Sequence, residues 1–263
     1  MEKRKLIRDI QESVLEIYNE HDLECLRGLK SEDEFILNGR QIILWYSEIT
    51  QKSTLKHQHS YDYLKNFDDL IFLSDEILYF TAHLYLYKDF INDPIEAGFI
   101  FYDRMVYPNN QNLEAKRFNM YADVVSESVY KYWDRIGDLI ASFFPGRLEE
   151  HKVYFGTALD LIPTELRDSE NYKWLINFKE GEYRELNKIR KNVAHYISSD
   201  TQFKYAHLNS SGDREQIETI LREKRALPDV YKEHIKTTLE GFGRTLLLLD
   251  EVAAKTFQQE SQL

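Results

Sequence analysis

Apolar residues recur along most of this chain at intervals of three and four, the spacing that lines one face of an α-helix. Four stretches carry the pattern over several turns. Tyr61–Ile91 holds Phe67, Leu70, Ile71, Ile77, Leu78, Leu84 and Tyr85, and it is apolar on more than one side towards its end, as in a central buried helix. Glu114–Phe144 repeats Phe118, Ala122, Val125, Val129, Trp133, Ile136, Ile140 and Phe143 before Pro145-Gly146 stops it. Glu182–Ser198 carries Leu186, Ile189, Val193 and Ile197. Pro228–Phe257 carries Tyr231, Ile235, Leu239, Phe242, Leu246, Leu249 and Val252, with Pro228 at its first turn. The pattern predicts an all-α fold, a helical bundle with four long core helices plus short accessory helices.

The intervening segments are less regular. Met1–Glu20 predicts a one-sided helix packed on the main body through Leu6, Ile10, Val14, Leu15 and Tyr18. Glu32–Ile49 predicts a second helix, weakened by Gly39. The polar run Lys52–Ser60 marks the division between an N-terminal helical arm, 1–58, and a bundle domain, 59–263. His57 and His59 in that run lack ligand-spaced partners and read as solvent-exposed. Ile95–Tyr107 fits a short helix or a strand pair equally well, and Pro108–Asn112 is a loop. Short helices are expected at 148–162, 164–179 and 213–225, and the polar stretch Ser198–Asp213 reads as a loop. Gly241 and Gly243 inside the last helix suit close helix packing, since no strand precedes them to make a phosphate loop.

Composition narrows the class. At 263 residues and 43% hydrophobic content the chain can bury a sizeable core. Its lone Cys25 leaves no internal disulfide framework, and no secretory h-region or apolar span long enough for a bilayer is present, so a soluble cytoplasmic protein without a membrane role is expected. With 34 basic and 45 acidic residues the net charge is −11, which argues against a general nucleic-acid-coating role but leaves room for a small basic site. No phosphate-binding glycine loop, dinucleotide fingerprint, zinc spacing or nucleophile elbow occurs, and neither cofactor nor metal is expected.

Candidate chemistry concentrates in R-K-N-V-A-H, residues 190–195. Arg190 is a permanent cation with a planar donor fork, and His195 is of the type that exchanges protons near neutral pH. Lys191 and Asn192 add a second cation and an amide, stacked at i,i+4 and i,i+3 to His195. On one straight helix Arg190 and His195 lie about 140° apart in azimuth and about 7.5 Å apart in rise. A phosphate held by both therefore needs a groove bordered by a second helix, from this chain or from another copy.

Arg-x4-His late in a helical chain resembles the motif of the HEPN superfamily (higher eukaryotes and prokaryotes nucleotide-binding). The resemblance implies a helical bundle that dimerises and, in many members, cleaves RNA without a metal in toxin, phage-defence or RNA-processing systems. It implies catalytic roles for Arg190 and His195, with Asn192 and Lys191 assisting; Lys191 stands where many members carry Asn, Asp or His. It implies an RNA substrate, a homodimer with a composite site, and a possible antitoxin-like protein partner. The expected products are a 2′,3′-cyclic phosphate and a 5′-OH. The alternative expectation is a catalytically inactive HEPN-like module that binds a protein partner or nucleotide. The 18 Tyr and 15 Phe also admit an unrelated helical regulator with an aromatic pocket.

Overall fold

A computed structural model describes residues 2–24, 26, 36–53, 61–195 and 198–260, with side-chain surroundings given except at 2, 61–64, 150, 192–195 and 256–260. Among the described residues the element order is α1 (Glu2–Glu20), β1 (Ile36–Leu37), β2 (Arg40–Gln41), α2 (Ile42–Lys52), α3 (Tyr61–Lys88), β3 (Phe99–Phe101), β4 (Arg104–Val106), α4 (Leu113–Ser142), α5 (Phe155–Leu159), α6 (Glu170–Glu180), α7 (Glu182–His195), α8 (Ser199–Asn209) and α9 (Arg214–Glu260). The fold is all-α: two small antiparallel hairpins are its only sheet among these residues. None of the described helices is long and apolar enough to cross a membrane. Cys25, His57 and His59 lie outside the described residues.

The chain divides into two compact units interleaved along the sequence. One comprises 1–23, 77–127 and 188–234; the other comprises 24–76, 128–187 and 235–263. In the first, Phe118, Ala122 and Val125 of α4 are fully buried, and Tyr85 of α3 stacks on His21 at 3.7 Å and donates to Asp229 of α9 at 2.6 Å. Burial, and then the Asp229 carboxylate, push the Tyr85 phenol well above its ordinary value. In the second, Trp133 of α4 is fully buried against Phe155 of α5 and Phe178 of α6, with ring centroids 4.9 and 3.9 Å away.

Two glycines in this second unit make room for neighbours. A Cβ on Gly241 would lie 2.2 Å from the Trp133 ring, as expected of close packing. On Gly137 it would lie 2.6 Å from the backbone nitrogen of Phe155, and backbone cannot swing aside. Gly137→Ala is therefore expected to destabilise by about 1–3 kcal/mol, although alanine is the better helix former by about 1 kcal/mol. Urea unfolding measures this, and an unchanged midpoint would show that α5 yields.

Several expectations are corrected. Within the helix expected over Glu32–Ile49, the described residues 36–41 are instead a hairpin of β1 and β2 turned by Asn38 (φ 53) and Gly39 (φ 72), and the helix α2 starts at Ile42. Ile95–Tyr107 resolves as the strand pair β3–β4, turned by Tyr102 (φ 47) and Asp103 (φ 60). The 148–162 and 164–179 helices shrink to single 3₁₀ turns at Glu150–Lys152 and Thr164–Leu166 followed by α5 and α6. Ser198–Asp213 is mostly the helix α8, whose Ser198 Oγ caps it by accepting from the Thr201 N–H at 3.3 Å. The short helix over 213–225 and the one opened by Pro228 are a single helix, α9, with Pro228 inside it. In α1 only Val14 and Tyr18 are buried, while Leu6, Ile10 and Leu15 are exposed.

Candidate functional site

α7 starts where α6 ends. Gly181 terminates α6 through its N–H to Asn177 O at 3.0 Å, and Glu182 and Glu185 occupy the first turn of α7, the favourable end of the helix dipole for carboxylates. Tyr183 then anchors this turn within its unit. It stacks on Tyr130 (centroids 5.7 Å apart, planes 13° apart) and its hydroxyl lies 3.1 Å from Asp134 Oδ1 and 3.4 Å from Tyr130 Oη. Burial, reinforced by that hydrogen bonding, pushes the Tyr183 phenol far up, so it stays a donor. Asp134 thus serves the N-terminal turn of α7. Its neighbour Arg135 reaches Asp138 and Asp69 in a partly exposed set of ion pairs.

Beyond Tyr183 the helix changes character. Leu186 is buried, but Ile189, expected on the same apolar stripe, is 48% exposed. Arg190 is half-buried, and Arg184, Lys188 and Lys191 are exposed. At about 100° per residue, Arg184, Lys188 and Lys191 fall within about 60° of one another, on one basic face of α7. Position 195, the last helical residue, lies on that same face. Arg190 lies round the helix, on the side of Leu186. The helix thus holds Arg190, Lys191, Asn192 and His195 on one continuous backbone, while the side chains of Asn192 and His195, like Val193 of the stripe, lie outside the described residues; Ile197 does so entirely.

The chain is caught again immediately afterwards. The Ser199 N–H donates to Asp123 Oδ1 at 3.0 Å, and Asn119 Nδ2 donates to Asp200 Oδ1 at 2.7 Å. Asn119 and Asp123 stand one turn apart on α4 and grip the first turn of α8. Burial pushes the Asp123 carboxyl up, opposed by its bonds from Ser199. These two positioning residues escaped the sequence reading, because Asn119 and Asp123 sit beside an apolar stripe that explains them equally well as exposed polar residues.

A model for the family described as HEPN_Cthe2314-like HEPN matches residues 73–246, a span that contains all of α7 and α8. No curated protein matches the chain, and no solved structure does.

Proposed function

The chain belongs to the HEPN superfamily, and from that membership we propose that it is a metal-independent endoribonuclease acting through α7. The observation that carries the reading is the exposed basic face formed by Arg184, Lys188 and Lys191 in line with position 195. It offers an RNA backbone a local attraction on a chain whose net charge is −11.

RNA carries its own nucleophile, so the chemistry reduces to proton transfer and charge stabilisation. A neutral His195 takes the proton of the 2′-OH as that oxygen attacks the adjacent phosphorus. The bond from phosphorus to the 5′-oxygen breaks, and that oxygen leaves with a proton from a second, protonated imidazole. The products are a 2′,3′-cyclic phosphate and a 5′-OH. Arg190 presents its donor fork to the non-bridging oxygens as charge builds on them, Lys191 holds a flanking phosphate, and Asn192 orients the imidazole or a ribose oxygen. Because Arg190 and His195 diverge on the helix, and one site needs two imidazoles, a homodimer with two motifs facing one cleft supplies the composite site. A toxin, phage-defence or RNA-processing role, held in check by an antitoxin-like protein, would follow from such an activity.

The test is cleavage of end-labelled tRNA and single-stranded RNA in EDTA by the wild type and by Arg190→Ala. Metal-independent cutting that falls in the variant supports the reading; equal cutting by both overturns it. If neither cuts, a non-catalytic HEPN module becomes the better reading, which Lys191 at the position after Arg190 would favour.

A further inference from the structure

Away from α7, the first unit contains a cleft that is open to solvent. Lys224 of α9 lines it and is only 6% exposed, yet among the described residues no carboxylate or other acceptor bonds its ammonium. Its surroundings are instead the rings of Phe203 and Phe118, 5.3 and 5.8 Å from Nζ. Asp200 acts on it through space, but that carboxylate is bonded to Asn119. Burial drives the ammonium down to about 8, so the cation is held at a cost that two phenyl faces only partly offset.

The walls are built, not merely enclosed. His207 Nε2–H donates to Tyr107 O at 2.9 Å, since a carbonyl can only accept. Tyr107 N–H donates to Ser211 O at 2.8 Å, Asn112 Nδ2 to Phe90 O at 2.6 Å, and Asn92 Nδ2 to Asn110 O. These bonds hold the 107–112 loop, whose residues 108–111 line the cleft together with Ile217 and Leu221 of α9.

We propose that this cleft binds a small organic oxyanion, a carboxylate or phosphate monoester on a compact apolar or planar body. Lys224 Nζ is its counter-ion, the 109–111 amides complete the polar contacts, and Phe203, Ile217 and Leu221 cover the body. Such a ligand would give the ammonium a charged acceptor. The site stands independently of the nuclease reading.

The experiment is isothermal titration of the full-length protein with benzoate, phenyl phosphate and, as the cationic isostere, benzamidine. It is run on wild type, Lys224→Met and Lys173→Met; Lys173 is 58% exposed and controls for the loss of one positive charge. Saturable binding of either anion by wild type and Lys173→Met, weakened about ten- to a hundredfold in Lys224→Met, is expected, with no binding of benzamidine. The tighter of the two anions identifies the head group. Equal affinity in Lys224→Met, or no saturable anion binding by wild type up to about 10 mM, overturns the proposal.

Discussion

His195→Ala is expected to lower RNA cleavage by about 10²–10⁴-fold, the usual contribution of a positioned general acid or base, while leaving thermal unfolding unchanged. The residue ends α7, and the preceding turns are anchored by Tyr183 and Leu186. On the proposed mechanism one imidazole is neutral and another protonated, so wild-type cleavage should be bell-shaped in pH, and the residual rate of His195→Ala should lose that shape. Arg190→Lys should fall well short of wild type, since an ammonium keeps the charge but not the two-pronged geometry. If each site takes its arginine from one copy and its histidine from the other, mixing Arg190→Ala with His195→Ala restores cutting that neither has alone. Absence of restoration on mixing, with subunit exchange demonstrated, would confine the site to a single chain.

Lys224→Met is expected to raise stability at pH 7 by about 1–2 kcal/mol. The gap between about 8 in the folded protein and 10.5 ordinarily corresponds to roughly 3 kcal/mol against the folded state at neutral pH. Methionine keeps most of the stem's apolar contact but loses the attraction to Phe118 and Phe203, which returns part of that amount. The direction with pH is fixed. Above about 10.5 the lysine is neutral folded and unfolded alike, and its burial carries no charge penalty. As pH falls towards 8 the unfolded chain takes up a proton that the folded one refuses, and the wild type loses stability. Below 8 the loss is complete and constant. Guanidinium unfolding of both proteins from pH 7 to 10.5 should therefore show the advantage of Lys224→Met shrinking as pH rises; an advantage independent of pH would assign it to packing instead.

The long elements were legible because each buries a stripe that repeats over many turns. Phe118, Ala122, Val125, Val129, Trp133, Ile136 and Ile140, all chosen from spacing, are all fully buried in α4. The failures have a common source in short-range chemistry. Asn38-Gly39 is a hairpin turn by its two left-handed residues, but the apolar residues around it also fit a helix. α8 has no useful apolar stripe to announce it: among its residues only His207 is buried, and its start depends on Ser198 as cap and on Asp123 and Asn119 from another helix. Pro228 is a helix opener by local rule, yet the turn before it is held by Arg225, whose side chain reaches Asp93 at 3.8 Å and Ile91 O at 3.3 Å. Tertiary contacts of this kind leave no period in the sequence.

The candidate site was legible to a different degree. The helix that carries the candidate residues stood out by type and spacing, and it falls within the span of the family match. The exposure of Ile189 was not legible, because spacing places a residue on a face without saying whether anything covers it. Lys224 was invisible for the opposite reason. A lysine in a helix reads as solvated, and only the approach of Phe203 and the 107–112 loop encloses it.

The grip of α4 on α8 also sets a length. Between the α-carbon of His195, the last residue of α7, and that of Ser199, the first of α8, there are four links, which span about 14 Å at full extension. The end of the motif helix is accordingly leashed to the Asn119–Asp123 turn of α4, which lies more than 70 residues earlier in the chain. Whatever cleft the motif enters, its reach is measured from there.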